Sequence, residues 1–287
     1  MTPYLARLRA GDVPTVAEWN QHLITFHRAF ADATSGTISL FRADGGATSY
    51  ELLARRVREL APQAHDVLDL GCGNGTLLAQ IARAYGKDIT LHGVDLSEDE
   101  IARARRVAPL ALLRCADAAD GLGQNTYDVV LAHLTLAIVS RLRTVVERIH
   151  AALRPGALFA CIVEDLGAPE SIFRIVGAAL ASLGADWPSF RLVIPEREAI
   201  EHDEGLSSLL TAAGFHEQLI ERTVLRSTLS LDQLWTFTRN MYPFGLLERP
   251  MQDALRDRLF AFASEIGGSN GYVTTSLPLR LVTARAD

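Results

Sequence analysis

The chain has 287 residues, a hydrophobic share of 48%, a charged share of 22% and a net charge of -6. That length suits one α/β core with helical additions better than two independent domains, and no run approaches the roughly 18 uninterrupted apolar residues of a membrane span. Lys87 is the only lysine and the arginines are scattered among acids, which argues against a nucleic-acid partner, because phosphate binding needs clustered positive charge.

Residues 15 to 32 carry apolar side chains at helical spacing, with Trp19, Leu23, Phe26 and Phe30 on one stripe, and a stretch rich in Gly, Ser and Ala follows through Gly46. Residues 1 to 48 therefore read as an N-terminal helical arm or lid, and residues 49 to 287 as the main domain. A helix from Ser49 to about Leu60 leads into Asp66-Val67-Leu68-Asp69-Leu70, an apolar run too short for a helix. Strand and helix signals then alternate. Strands are predicted at 66 to 70, 89 to 95, 111 to 115, 127 to 132 and 157 to 163, and helices at 75 to 85, 97 to 107 and 136 to 153. Ser97 with Glu100 spells a capping box, and Pro155-Gly156 stops the helix before them. Such alternation predicts a doubly wound α/β sheet, with a ligand site at the carboxyl ends of its parallel strands.

Beyond residue 165 the pattern loosens. Residues 166 to 195, which include Trp187, and residues 231 to 265, broken at Pro243-Phe244-Gly245 and Pro250, read as helical lid insertions. Between them lie a helix near 197 to 213 and a strand near 217 to 229; the last strand spans about 272 to 285.

The densest information sits in Asp69-Leu70-Gly71-Cys72-Gly73-Asn74-Gly75-Thr76. Glycines there let the backbone turn tightly after a strand and bring peptide N–H groups against a ligand. The dinucleotide fingerprint G-x-G-x-x-G is missed, since the third glycine comes one place early and Thr76 stands at its position. Asp69 is the more telling residue. A pyrophosphate about 4 Å from its carboxylate would be repelled by roughly 4 kcal/mol at an effective dielectric of 20. A cation would be attracted, and S-adenosylmethionine carries a sulfonium and an ammonium but no phosphate. Asp95, at the end of the second strand and about 20 residues past the glycines, is placed to take both ribose hydroxyls. Asp117, after the third strand, could accept a hydrogen bond from an adenine amino group.

On these motifs the chain resembles the class I S-adenosylmethionine-dependent methyltransferases, especially their small-molecule branch, over roughly residues 49 to 165 and more loosely to the end. The resemblance implies a seven-stranded sheet with its last strand antiparallel. It implies Gly71, Cys72, Gly73, Asn74 and Gly75 around the methionine part, Asp95 on the ribose, Asp117 and Ala118 near adenine, and Leu96 packed on the adenine. It further implies that Arg154-Pro155-Gly156 turns ahead of the fifth strand, and that Tyr50 touches the cofactor carboxylate. An NAD-dependent oxidoreductase and a catalytically silent cofactor-binding protein are the alternatives.

Methyl transfer from a sulfonium is an in-line displacement in which alignment alone is worth roughly 7 to 11 kcal/mol, so a strong base need not be visible. The fourth strand ends in Ala132-His133-Leu134-Thr135, without the Asn/Asp-Pro-Pro-Tyr motif of adenine- and amide-modifying relatives. His133 stands at the mouth of the expected site, either as a general base near neutral pH or as a wall residue beside the cofactor. His22 and His27 flank the Trp19 stripe of the arm, and with Trp19 they either contact the acceptor as a lid or, for the two histidines, form helix edges facing solvent. Glu164 and Asp165 either orient the acceptor or open a loop, and Trp187, Trp235 and Tyr242 line its pocket or belong to the core. A hydrophobic or aromatic small molecule is the expected acceptor. The eight histidines show no ligand spacing such as H-E-x-x-H, so no metal is expected. Cys72, Cys115 and Cys161 end apolar runs, and Met1-Thr2-Pro3-Tyr4 begins no basic-then-apolar leader; both point to a reducing, cytoplasmic setting.

Overall fold

The computed structural model describes residues 3–30, 33–86, 88–166, 168, 171–185, 196–267 and 271–287. Helices α1 (Pro3–Ala10), α2 (Val16–Ala29) and α3 (Ala33–Ile38) precede α4 (Ser49–Leu60). The alternating core runs β1 (Asp66–Leu70), α5 (Thr76–Tyr85), β2 (Thr90–Asp95), α6 (Glu98–Val107), β3 (Leu112–Cys115), β4 (Tyr127–His133), α7 (Leu142–Ala152) and β5 (Leu153–Glu164). Then come α8 (Ile172–Ala181), α9 (Arg197–Glu201), α10 (Asp203–Ala212), β6 (Phe215–Ser230), α11 (Leu231–Arg239), α12 (Arg249–Gly267) and β7 (Tyr272–Ala286).

The seven strands form one sheet in the order β3-β2-β1-β4-β5-β7-β6. β1 to β5 pair in parallel, and β7 enters antiparallel between β5 and β6. The order reverses between β1, which neighbours β2, and β4 on its other side, so a crevice opens at their carboxyl ends. Alternation along each strand feeds two apolar layers. Val67, Val129 and Leu131 face one layer, shared with Leu53 and Val57 of α4 and Leu77, Leu78 and Ile81 of α5. Leu68, Leu70, Val130 and Ala132 face the other, with Val145, Val146 and Ile149 of α7 and Leu206 and Leu210 of α10. Burying each of these large side chains contributes about 1.5–3 kcal/mol.

Several boundaries differ from the sequence expectations. The helix predicted at 136 to 153 begins only at Leu142. Leu134 takes φ +60°, and the apolar residues Leu136 and Ala137 are buried by tertiary packing in a turn instead of by helical periodicity. Pro155-Gly156 does not form a turn ahead of the fifth strand, because β5 already starts at Leu153, paired with Tyr127, and a register shift follows. A residue preceding proline is pushed toward extended backbone, so helix α7 stops earlier and the strand begins sooner.

Ser97 caps α6 by accepting from the Glu100 N–H, but the box is not closed. The Ser97 N–H is donated to Asp95 Oδ1 at 2.8 Å, and Glu100 turns to Arg103 at 2.6 Å. Full capping boxes do form at Thr48 with Glu51 and at Thr15 with Glu18. Pro250 opens α12 and does not interrupt it, since proline is tolerated in a first turn. Helices α1 and α3, within the predicted arm and its small-residue stretch, complete the N-terminal layer; Trp187 lies outside the described residues.

Candidate active site

At the end of β1, Asp69 is 1% exposed, and neither carboxylate oxygen has a hydrogen-bond partner among the described residues. Burial, and next the neighbouring Asp95, raise its carboxyl well above the usual range. Asp95, at the end of β2, is also pushed up by burial, opposed by backbone hydrogen bonds. Its Oδ2 accepts the Gly73 N–H at 2.9 Å and its Oδ1 the Ser97 N–H. The Leu96 N–H also bonds this carboxylate, and the lone-pair capacity that remains suits a ribose hydroxyl.

The loop itself departs from the expected N–H cradle. Gly71 and Cys72 both donate to the Val94 carbonyl, at 2.7 and 3.0 Å, and Gly75 donates to the Cys72 carbonyl. Gly73 is taken by Asp95 and Thr76 by the Asn74 side chain. Donors at 71, 72, 73, 75 and 76 are thus taken up by the end of β2 and by the loop itself, and Asp69, Asp95 and Glu100 put carboxyl groups on this part of the cavity wall. Such a surface repels phosphate and favours a cation. Gly71 (φ +68°) is obligatory here, because a Cβ would stand 2.4 Å from Thr135 Oγ1.

One cavity of about 480 Å³ extends from these acids toward an apolar end. Tyr50, Asp69, Gly71, Cys72, Gly73, Asn74, Asp95 and His133 line it, and so do Glu164 and Tyr242. A smaller chamber of about 80 Å³ adjoins it, bounded by Leu96, Asp117 and Ala118, with Asp95 and His27 common to both. Asp117 is already engaged: Oδ2 accepts from Asn20 at 2.8 Å and Arg141 at 3.0 Å, and Oδ1 from the Ala119 N–H. Gly75 lines neither chamber; in the left-handed conformation it caps α5.

His133 does not stand at the mouth. It is 7% exposed, its Nε2 lies 2.9 Å from Ser49 Oγ, and its ring stacks on Tyr50 with centroids 4.0 Å apart. Burial lowers its pKa to about 3, so it is too weak a base for work near neutral pH. Burial likewise raises the Tyr50 phenol and the Cys72 thiol.

Three residues expected at the acceptor lie elsewhere. Trp19 is 1% exposed and donates its indole N–H to the Ile138 carbonyl at 2.8 Å. His22 is buried against Tyr4, ring centroids 4.6 Å apart, and is lowered to about 4 by burial. Trp235 packs edge-on against Phe244, outside the cavity wall. All three belong to packing layers, since a helical apolar stripe buries first against its own scaffold.

Residues the sequence reading did not single out complete the wall: Thr34, Ser35, Thr37 and Ile38 from α3, Phe173 from α8, Arg197 and Glu201 from α9, and Phe237, Asn240 and Met241 at the end of α11. Asn74 Nδ2 donates to Ser35 Oγ at 2.8 Å, and Asn240 donates to Thr37 at 3.3 Å. The one available signal was Phe237, Asn240 and Met241 at helical spacing just ahead of Tyr242.

A parallel run of five strands with an acid at three successive strand ends suits a nucleoside that carries positive charge. The sheet order and the acids at the strand ends are similar to those of the class I S-adenosylmethionine-dependent methyltransferases. The family described as Methyltransferase domain matches residues 67–156. Nocamycin O-methyltransferase of Saccharothrix syringae is 27% identical over 278 residues, spanning 84% of this chain and 92% of that one. Trans-aconitate 2-methyltransferase of Delftia acidovorans is 33% identical over 156 residues, 53% of this chain. The matched stretch spans 54% of that relative, about half its length. Among solved structures, one described as a candidate type II methyltransferase from Anaeromyxobacter dehalogenans superposes with a TM-score of 0.60 at 21% identity, covering 86% of this chain and 97% of that one.

The buried, unpartnered Asp69 carboxylate fits this donor. Bound S-adenosylmethionine supplies an electrophilic methyl carbon on a sulfonium, and its ammonium is the kind of partner a desolvated carboxylate lacks.

Proposed function

We propose that this chain methylates an oxygen, in a hydroxyl or carboxyl group, of a small and largely apolar natural product. The observation that carries the reading is the continuity of the cavity: its Asp69 and Asp95 end runs directly into a region walled by Ile38, Leu134, Phe173, Phe237 and Met241. An acceptor in that region meets the donor without crossing water, and the apolar wall suits a hydrophobic or aromatic body. The near full-length likeness to an O-methyltransferase of a natural product supports oxygen as the methylated atom.

In this reading Asp69 neutralises the donor's ammonium and Asp95 takes the ribose hydroxyls. Leu96, Asp117 and Ala118 border the base, and Tyr50 with His133 forms a stacked wall behind the methionine part. Gly71, Cys72, Gly73, Asn74 and Gly75 shape the loop, while Glu164 and Tyr242 face the acceptor. Residues 3 to 48, 171 to 185 and 231 to 265, as far as they are described, act as a cover that excludes water; the insert expected at 166 to 195 lies largely outside the described residues. Among the described residues no helix is long and apolar enough to cross a membrane, and we place the enzyme in the cytoplasm, where unpaired thiols persist.

The test is transfer of labelled methyl from S-adenosylmethionine to a panel of phenols, enolic diketones and dicarboxylic acids, with Asp95→Ala run beside it. Label on oxygen that is lost in the variant supports the assignment. Label appearing only on amines or thiols would overturn it.

A further inference from the structure

Three groups from distant parts of the chain meet over the cavity. His27 of α2 places Nε2 3.0 Å from the Tyr242 hydroxyl, which follows α11 by three residues. On its other side, Nδ1 of His27 lies 3.7 Å from Glu100 Oε1 of α6, and that oxygen also accepts from Arg103 at 2.6 Å. The Tyr242 hydroxyl also meets the Thr34 side chain, and both Tyr242 and His27 line the cavity. The sequence is therefore carboxylate, imidazole, phenol, cavity.

Resting on the reading of O-methylation, we propose that His27 is the base of the reaction and draws the acceptor's proton through the hydroxyl of Tyr242, with Glu100 positioning the imidazole. A carboxylate beside Nδ1 favours the tautomer with its proton there, leaving the Nε2 lone pair for the Tyr242 O–H. The step balances. The acceptor oxygen gains the methyl carbon as its O–H bond breaks, and the carbon–sulfur electron pair returns to sulfur. The released proton arrives on the Tyr242 oxygen while the phenol's own proton moves to Nε2. The imidazolium so formed faces Glu100 and passes its proton to solvent when the product leaves.

The surroundings suit this role. Burial, opposed by Asp95 of β2 and helped by Arg103 of α6, holds His27 below the ordinary imidazole value, so the ring is neutral and able to accept at pH 7. Burial raises Tyr242, with the charges of Asp95, Glu164 and Glu100 adding to it, so the phenol keeps its proton and serves as a relay. The other histidine of the cavity wall, His133, is held by Ser49 and Tyr50 as described above.

Two measurements on the full chain test this. The first needs no acceptor: nitrogen-15 spectra of histidine-labelled protein saturated with S-adenosylhomocysteine should show His27 neutral at pH 7, with the proton on Nδ1 and none on Nε2. A proton on Nε2 overturns the proposal regardless of any assay. The second uses whichever probe of the panel accepts label. His27→Ala should lower kcat by roughly 100-fold or more while the heat of S-adenosylhomocysteine binding persists. Added imidazoles should restore part of the rate, the more basic ones more, and Tyr242→Phe should lower kcat without abolishing the Nδ1–H tautomer. A His27→Ala loss that no imidazole restores, in protein that still binds the spent donor, overturns the assignment. Transfer onto amines alone, with the tautomer as expected, would instead refute the reading of O-methylation.

Discussion

Replacing Asp69 with asparagine removes one charge with almost no change of shape, and it should move ligand affinity and free-protein stability in opposite directions. At about 4 Å and an effective dielectric of 20, a carboxylate attracts an ammonium by roughly 4 kcal/mol. Part of that is spent on removing the proton that burial and Asp95 hold on the free carboxyl. The remainder should fall in the range of a hydrogen bond to a charged group, about 1.5–3 kcal/mol, so Asp69→Asn weakens S-adenosylhomocysteine binding roughly 10- to 150-fold. Calorimetry in two buffers of different ionisation enthalpy adds a second readout. The wild type should release protons on binding and bind more tightly as pH rises through the carboxyl's raised value, whereas the variant should do neither. For stability, a carboxyl raised in the folded state stabilises below its unfolded value and loses that advantage as pH climbs through the folded one. The unliganded variant should therefore gain in Tm relative to wild type as pH increases. Equal affinity in the two proteins, or buffer-independent heats in both, would show that Asp69 does not face the donor's cation.

Other outcomes follow from the same geometry. Gly71→Ala puts a Cβ 2.4 Å from Thr135 Oγ1 at φ +68° and should cost roughly 1–3 kcal/mol in urea unfolding; Gly71→Ala combined with Thr135→Ala should recover only the part due to the clash. Trp19→Phe loses the indole bond to the half-buried Ile138 carbonyl and should cost about 0.5–1.5 kcal/mol, the net worth of one hydrogen bond, in urea unfolding, without altering KM for any acceptor that accepts label. His22 and His133, pushed to about 4 and about 3 from 6.5, bind fewer protons folded than unfolded between those values. Stability should therefore fall as pH drops below about 6.5, and chemical denaturation of His133→Gln should show a shallower fall. The same variant should leave the pH profile of kcat between 6 and 8 unshifted, whereas a histidine base at position 133 would shift it.

Much of the donor half was legible because its signals are local. Apolar runs of five to seven residues, tight glycines and the acids at the ends of β1 and β2 fix β1, β2 and β4 and the loop between β1 and α5 with little help from distant contacts. What escaped was decided by tertiary partners. The run Leu134 to Val139 looks like the start of a helix until Trp19 and the cavity claim it as a turn. His133 reads as a mouth residue, yet its depth depends on Ser49 and Tyr50, more than 80 positions away. The peptide groups of the glycine loop read as ligand donors, and only the register between β1 and β2 reveals that Val94 and Asp95 consume them. The far cavity wall, where we propose the acceptor sits, is assembled from α3, α8, α9 and the end of α11, and no single window of sequence contains enough of it to be read.

β6 and β7 pair through fourteen registered positions, from Phe215 with Ala286 to Ser230 with Tyr272, and α11 leaves directly from the far end of that ladder. The side chains Phe237, Asn240, Met241 and Tyr242 thus follow directly from the end of this long antiparallel ladder, whereas the donor loop hangs from β1 and β2 on the opposite half of the sheet. On the proposed O-methylation reading, changes at the outer end of this ladder refashion which compound is admitted while the nucleoside grip stays intact. Grafting that end between homologous chains is accordingly a practical route to altered acceptor choice.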